Sequence, residues 1–193
     1  MTKRIELLAA QSASSFKEGY KEAEQSLGRR FRGEGLYKVD SKGRVSIPAL
    51  FRRVIESCDP NWTEGLPPEL VIVYGDERRK FIECYTIEAI EEVDSKIDRL
   101  PRGSLERKTL ERFFHGQSIP TSIDETGRLV LSPKLRERFF IEKEAYFIAA
   151  GDTFQIWSPE IFEKDKEETN KWLNDQPNDF DPLSFLDMGT DQQ

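Results

Sequence analysis

The residue types that could do chemistry concentrate in two short segments of the same pattern. Asp-Ser-Lys-Gly-Arg occupies residues 40–44, and Asp-Glu-Thr-Gly-Arg occupies residues 124–128. An Asp at the first position of a tight turn accepts hydrogen bonds from backbone N–H groups further along the turn. A Gly three residues later suits a left-handed backbone conformation, as in a bulged hairpin. Each segment therefore predicts a rigid turn, and the residues expected to structure the two turns are Asp40, Gly43, Asp124 and Gly127.

Each turn ends on an arginine, Arg44 or Arg128, for which two interpretations are open. In one, the Asp and the Arg four residues later form a structural ion pair that fixes the hairpin. In the other, the guanidinium faces a phosphate or a guanine edge, which its planar fork binds in bidentate fashion. The two are compatible, because an Asp can orient an Arg that then contacts nucleic acid.

An enzymatic role for Asp40 and Asp124 as a carboxylate pair fits the sequence poorly. The neighbouring arginines would keep both carboxylates ionised, and no motif supplies a nucleophile, a base or a set of metal ligands. The chain has one histidine, His115, and its cysteines, Cys58 and Cys84, match no metal-ligand spacing. We therefore expect no enzyme activity, no catalytic residue, no cofactor, no metal and no small-molecule substrate.

Charge is unevenly distributed along the chain. The net charge is −7, and charged residues make up 34% of the sequence. Residues 29–53 contain eight basic and two acidic side chains, whereas residues 159–193 contain ten acidic side chains and three lysines. A polyanion senses charge only within about 8–10 Å at physiological salt, so the basic segment keeps a nucleic-acid partner open. No apolar run approaches the roughly 18–20 residues of a membrane span, which predicts a soluble, cytoplasmic protein without a membrane partner.

The two turns belong to a longer internal repeat. Each is followed by a short apolar strand, a proline, a basic amphipathic segment, a hairpin with a Gly-Asp turn, and a helix that begins near Ile87 or Pro159. Matched features in the same order predict a duplication. The expected organisation is a flexible N-terminal extension at 1–30, a first repeat at 31–87, connecting helices at 88–112, a second repeat at 113–158, and a C-terminal helix with an acidic flexible tail at 159–193.

The repeated Asp-x-x-Gly-Arg turn with its strand, proline and helix resembles the AbrB/SpoVT-type swapped-hairpin DNA-binding module. Two copies in one chain look like the MraZ family of bacterial transcriptional regulators, over about residues 31–165. Besides the two turns, the segments that carry this resemblance are Phe-Arg-Gly at 31–33, Leu-Ser-Pro-Lys-Leu-Arg at 131–136, Gly-Asp at 151–152 and Phe-Gln-Ile-Trp-Ser-Pro at 154–159.

The resemblance implies a fold, a function and a set of binding residues. The fold would be a β-rich α+β double-split β-barrel, formed from the two repeats with flanking helices. The protein would assemble into a ring, associate with the nucleoid, and bind double-stranded DNA at direct repeats upstream of its own division and cell-wall operon. The DNA-binding residues implied by position are Arg44 and Arg128, with Lys42 beside Arg44 on the first turn and Lys38 on the strand before it.

Three features depart from the family pattern. About 30 residues precede Phe31, either a lineage-specific arm or the product of an early start codon. The second turn has Glu125 and Thr126 where the first has Ser41 and Lys42, which predicts a weaker phosphate contact there. The acidic tail could also compete with DNA for the basic turns. The alternative function is an AbrB-fold protein–protein adaptor or antitoxin-like partner, which would not need Lys42 and a turn arginine exposed together.

Overall fold

The structure is a computed structural model that describes residues 29–189, and these divide into two compact units at Pro159. The predicted N-terminal extension lies outside the described residues, apart from its last two. The elements up to the long connecting helices are β1 (Glu34–Lys38), β2 (Arg44–Ser46), α1 (Ala49–Ser57), β3 (Glu69–Val73), β4 (Phe81–Thr86), α2 (Ile87–Asp98) and α3 (Leu105–Glu111). After a π-helical turn at Arg112–Gly116 come β5 (Ser118–Ser122), β6 (Arg128–Val130), α4 (Pro133–Arg138), β7 (Glu144–Ala150), β8 (Thr153–Trp157) and α5 (Pro159–Asn174).

The strands form a six-stranded antiparallel sheet in the order β1-β7-β8-β4-β3-β5 and a separate two-stranded ribbon of β2 and β6. Strands of the two predicted repeats interleave: β1 pairs with β7, β3 with β5 and β4 with β8. If each strand of the first half is exchanged with its counterpart in the second half (β1 with β5, β3 with β7 and β4 with β8), the strand order reads the same from the opposite edge of the sheet. The pairing is therefore symmetric with respect to the two halves of the chain. The predicted α+β, β-rich class is confirmed. Among the described strands β1 and β5 are sheet edges, so the sheet is open, and the double-split barrel remains a prediction.

The core lies between the inward faces of the sheet, the ribbon and helices α1 and α4. Phe154 and Ile156, two residues apart on one face of β8, are fully buried, and the residues at its two ends are nearly so. Phe31, at the start of the first predicted repeat, packs edge-on against Phe51 of α1 and Phe154 of β8, with ring centroids 5.2 and 5.0 Å apart. Its backbone N–H donates to the carbonyl of Gly151, 2.7 Å away. The two halves of the chain therefore share one core.

The connecting helices follow local sequence signals. Helix α2 begins at Ile87, where the hydroxyl of Thr86 accepts a hydrogen bond from the N–H of Ala89 at 3.2 Å. Its buried face includes Ile90 and Ile97. The helix ends before Pro101, and Ser104 caps α3 in the same manner as Thr86 caps α2. Among residues 29–189, none of the helices combines the length and apolar character that a membrane crossing requires.

Two hairpins connect consecutive strands of the large sheet. The β7–β8 hairpin turns at Gly151 and Asp152, as the Gly-Asp signal predicts. The β3–β4 connection is longer than predicted and spans residues 74–80. Gly75 in this loop lies against the backbone of Phe113, where an added Cβ would be 2.7 Å from the Phe113 Cα. A glycine is therefore required at position 75 because the loop packs closely against the π-helical turn, and not because the chain reverses direction in two residues there.

The second unit consists of most of α5 and the segment after it. Within the segment predicted as an acidic tail, Pro182–Gly189 forms a 3-10 helix. Trp172 of α5 packs against Phe180 and Phe185, with ring centroids 6.0 Å from each, and these two rings are 5.4 Å apart. Three aromatic rings therefore organise this unit locally.

Candidate nucleic-acid interface

The first turn is held by the carboxylate of Asp40. Its Oδ1 accepts hydrogen bonds from the backbone N–H groups of Lys42 and Arg44, both at 2.9 Å. The N–H of Gly43 donates to the Asp40 carbonyl at 2.9 Å, and the Asp40 N–H donates to the Arg44 carbonyl at 3.0 Å. Gly43 has a φ of +79°, a conformation that favours glycine. The turn is thus a closed loop that fixes the start of β2.

The second turn repeats this backbone geometry. Oδ1 of Asp124 accepts from the N–H of Thr126 at 2.9 Å and from the N–H of Arg128 at 3.0 Å. Gly127 has a φ of +75°, and its N–H donates to the Asp124 carbonyl at 2.8 Å. The turn fixes the start of β6, the strand that pairs with β2.

The arginine side chains of the two turns differ in their partners. Nε of Arg44 donates to Oδ2 of Asp40 at 2.7 Å, so the ion pair expected from the spacing is present in the first turn. In the second turn the hydroxyl of Thr126 donates to Asp124 at 2.6 Å. Within residues 29–189 no side-chain hydrogen bond or ion pair holds the guanidinium of Arg128, which is thus available to a ligand. The structural ion pair of the first interpretation is therefore present in the first turn and absent from the described contacts of the second.

Both turn carboxylates have a lowered pKa. For Asp40 the main cause is the hydrogen bond from the Arg44 backbone, followed by that from the Arg44 side chain. For Asp124 the pKa is lowered first by the hydrogen bond from the Thr126 hydroxyl. The hydrogen bonds to the ionised carboxylates stabilise the folded turns at pH values above 3.8, the ordinary pKa of an Asp side chain. This stabilisation is lost as the pH falls below that value and the carboxylates are protonated. At neutral pH both turns therefore keep their full set of hydrogen bonds.

The β2–β6 ribbon brings the two arginines onto one surface. Arg44 lies opposite Val130, and Arg128 lies opposite Ser46. The central pair, Val45 and Leu129, is buried, so the other four side chains form the outward face of the ribbon. Diagonal positions of this kind have Cα atoms about 7–8 Å apart. We call this outward face the ribbon face; its residues are Arg44, Ser46, Arg128 and Val130.

The other two predicted binding residues lie near this surface, at different distances from it. Lys42 is exposed at the tip of the first turn, and the side chain of Arg44 next to it is 37% exposed. This joint exposure favours a nucleic-acid partner over the adaptor alternative. Lys38 is exposed on β1 of the large sheet, opposite Glu144 of β7. Lys38 is therefore beside the first turn but not on the ribbon face, and an acidic side chain lies across from it.

Two arginines that the sequence pattern did not single out support the turns from behind. Nε of Arg136, on α4, donates to the carbonyl of Leu131 at 3.3 Å and lies 3.0 Å from where a Cβ on Gly43 would be. The guanidinium of Arg52, on α1, lies against Gly127 in the corresponding place, although its buried Nε has no hydrogen-bond partner among the described residues. Each helix thus supplies an arginine to the turn of the other half. The signal that could have found them is the basic character of both amphipathic segments.

The glycines of the turns are also part of the ribbon hydrogen bonding. The N–H of Leu131 donates to the carbonyl of Gly43 at 2.8 Å, and the N–H of Ile47 donates to the carbonyl of Gly127 at 2.9 Å. Each turn is therefore tied to the strand end of the other half, which makes the two turns and the ribbon one rigid element.

This arrangement defines the class of protein: an α+β chain whose two halves exchange strands and present one arginine each from Asp-x-x-Gly-Arg turns. The family model described as "MraZ protein, putative antitoxin-like" matches residues 115–179. Proteins named "Transcriptional regulator MraZ" from Ruegeria pomeroyi and from Ruegeria sp. (strain TM1040) are each 66% identical over 162 residues, 83% of this chain and 97% of theirs. A protein of that name from Cereibacter sphaeroides (strain KD131) is 44% identical over 139 residues, 68% of this chain and 82% of its own. The chain belongs to the MraZ family.

Proposed function

We propose that this chain is a transcriptional regulator that binds double-stranded DNA through the ribbon face and its two turns. The observation that carries the proposal is the position of Arg44 and Arg128, which project from one side of a two-stranded ribbon. A ribbon of this kind fits the major groove of B-DNA, about 12 Å wide, where arginine makes bidentate contacts to guanine. The name of the two Ruegeria relatives, transcriptional regulator, supports the regulatory role.

The two arginines are suited to different parts of this task. Asp40 holds Nε of Arg44, so this guanidinium is oriented before DNA binds and loses little entropy on contact. Arg128 has no such restraint and can adjust to the base or phosphate that it meets. Lys42 adds a positive charge to the first turn, whereas Glu125 adds a negative one to the second. The first turn is accordingly the stronger phosphate contact.

A single copy is too weakly charged to bind DNA tightly by itself. Lys42, Arg44, Arg128 and Lys38 can neutralise about three or four phosphates, and affinity falls with salt at a slope of about −0.9 for each. A ring that places identical ribbons on one rim would multiply these contacts and would favour direct repeats over a palindrome. The proposal therefore includes ring assembly of a double-split β-barrel protomer, binding to repeats upstream of its own operon, and association with the nucleoid.

The test is the binding of the intact chain to labelled double-stranded DNA from upstream of its own gene, measured by fluorescence anisotropy over a salt series. We expect a slope of log affinity against log salt steeper than about −3.6, the value for four phosphate contacts from one chain. Light scattering of the same samples should give a mass of several chains. Affinity that does not change with salt, or a tight complex of one chain with one DNA at moderate salt, would contradict the proposal. DNA of equal length from a coding region serves as the control.

The second candidate is a protein–protein adaptor or antitoxin-like partner, which the description of the matching family model favours. Such a protein would use the same fold without contacting DNA. Absence of DNA binding at all salt concentrations in the experiment above would select this alternative.

A further inference from the structure

The ribbon face contains an apolar side chain among its cations. Val130 is 52% exposed and lies opposite Arg44 on the paired strand. The symmetric position on β2 is Ser46, which lies opposite Arg128. The two halves of the ribbon thus differ at this position, one polar and one apolar.

Packing within the described chain does not require a valine at this position. The neighbouring residues of β6 and β2, Leu129 and Val45, are the ones that point into the core. At the symmetric position a serine occupies the same pleat and the same strand pairing. An exposed valine on a cationic surface can contribute to binding if the ligand has an apolar group that covers it, because burial of apolar surface is favourable. In the major groove of DNA that group is the 5-methyl of thymine.

The spacing along β6 fits such a contact. Arg128 and Val130 are two residues apart on one face of a strand, and two strand residues span about 6.8 Å. Two successive base steps along one strand of B-DNA also span about 6.8 Å. An arginine at a guanine or phosphate and a valine at a thymine methyl two steps away are therefore compatible with one docking of the ribbon.

We propose that Val130 is a specificity-determining residue that contacts the 5-methyl group of a thymine in the major groove. This inference rests on the proposed function and deepens it. Because Ser46 cannot make the same contact, the preference belongs to one end of the ribbon only. The two ends of the nearly symmetric ribbon would then prefer different bases, so the ribbon would bind its site in one orientation, which suits DNA sites arranged head to tail.

The experiment compares two forms of one DNA. The upstream fragment is prepared with thymine and, separately, with deoxyuridine in place of every thymine, which removes only the methyl groups. Three proteins are titrated with both: the wild type, Val130→Ser and Leu105→Ser. The first substitution copies Ser46 onto the second half, and the last removes a 77% exposed apolar side chain from α3 as a matched control.

We expect the wild type to bind the uracil DNA about four-fold more weakly for each thymine methyl that a Val130 side chain covers, as burial of one methyl group implies. Val130→Ser should bind both DNAs equally and about as weakly as the wild type binds the uracil form. Leu105→Ser should behave as the wild type does. Since Val130 is exposed, thermal unfolding of the serine variant should stay close to that of the wild type, which shows that the change is confined to binding.

The contrary outcomes are distinct from failure of DNA binding itself. Wild-type protein that binds both DNAs equally, with the expected salt dependence, would overturn the thymine contact and leave the proposed function standing. A Val130→Ser variant that still prefers thymine would also overturn it. If the wild type binds neither DNA, the proposed function and this inference fall together. The comparison of the two DNAs on wild-type protein requires no variant, so the test does not depend on how a variant folds.

Discussion

Replacing both ribbon arginines, as Arg44→Ala with Arg128→Ala, should weaken binding to the upstream DNA by roughly 30-fold to more than 1,000-fold, since each such contact contributes about 1–3 kcal/mol. The slope of affinity against salt should become less steep by about one for each phosphate contact removed. Fluorescence anisotropy over a salt series measures both quantities. Because the guanidinium groups lie at the surface, the double variant should retain its fold and its oligomeric mass.

The single variants separate binding from stability. Arg44→Ala removes the ion pair with Asp40, which adds little to the unfolding free energy because water screens a pair at the surface. Arg128→Ala removes no side-chain hydrogen bond or ion pair seen within the described residues and should leave the unfolding free energy unchanged. Arg102→Ala, at an exposed position between α2 and α3, controls for the loss of one positive charge. A double variant that binds as tightly as the wild type would show that the arginines only fix the hairpins.

Gly43→Ala should destabilise the protein by more than about 3 kcal/mol, much more than the same change at Gly127. A Cβ at Gly43 would lie 2.3 Å from the carbonyl oxygen of Leu131, a backbone atom of the paired strand end. That oxygen cannot move away without straining the 2.8 Å hydrogen bond from the Leu131 N–H to Gly43. The steric conflict therefore adds to the cost of a left-handed alanine.

Gly127→Ala meets a softer obstacle. The nearest atom would be a terminal nitrogen of Arg52 at 2.8 Å, at the end of a flexible side chain that can turn aside. Its cost should be close to that of the backbone conformation alone, about 1–2 kcal/mol. Urea unfolding followed by circular dichroism measures the two changes under the same conditions. Equal and small decreases in stability at both glycines would contradict the close approach of the ribbon to the first turn.

Local signals predicted much of the fold. The helix starts near Ile87 and Pro159 and the turn at Gly151 followed from the repeated order of features along the chain, and they lie where that order predicted. The prolines of the two halves turned out to hold different places: Pro48 is the N-cap of α1, whereas Ser132 caps α4 and Pro133 follows it.

Pairing between distant strands was not predictable from the residues alone. The run Leu129-Val130-Leu131 is apolar throughout, and only its pairing with β2 shows that Val130 faces outward. Alternation within a strand specifies which residues share a face, but it does not identify the partner strand. The same limitation hid Arg52 and Arg136, because each supports the turn of the other half of the chain.

The different roles of the two turn arginines also depend on detail beyond the motif. Both turns have Asp and Arg at the same spacing, yet only Arg44 is bound by its Asp through the side chain. In the second turn the hydroxyl of Thr126 donates to Oδ1 of Asp124, the oxygen that also accepts the two backbone hydrogen bonds of the turn. The spacing of Asp and Arg in the motif therefore does not specify whether the Asp holds the arginine side chain.

The most direct test of the ribbon face as the DNA-binding surface is a site-specific crosslink from it to DNA. Ser46 is exposed, lies opposite Arg128 and is two residues from Arg44, and Ser46→Cys would provide a thiol for a photoactivatable crosslinker. The native Cys58 and Cys84 are buried, and burial raises the pKa of both thiols, so they should react slowly with the reagent. Leu105→Cys on α3 is the matched control. We predict that the crosslinker at position 46 captures the upstream DNA, that added salt reduces the yield, and that position 105 captures none. Capture from position 105 but not from position 46, under conditions in which DNA is bound, would contradict the ribbon face as the DNA-binding surface.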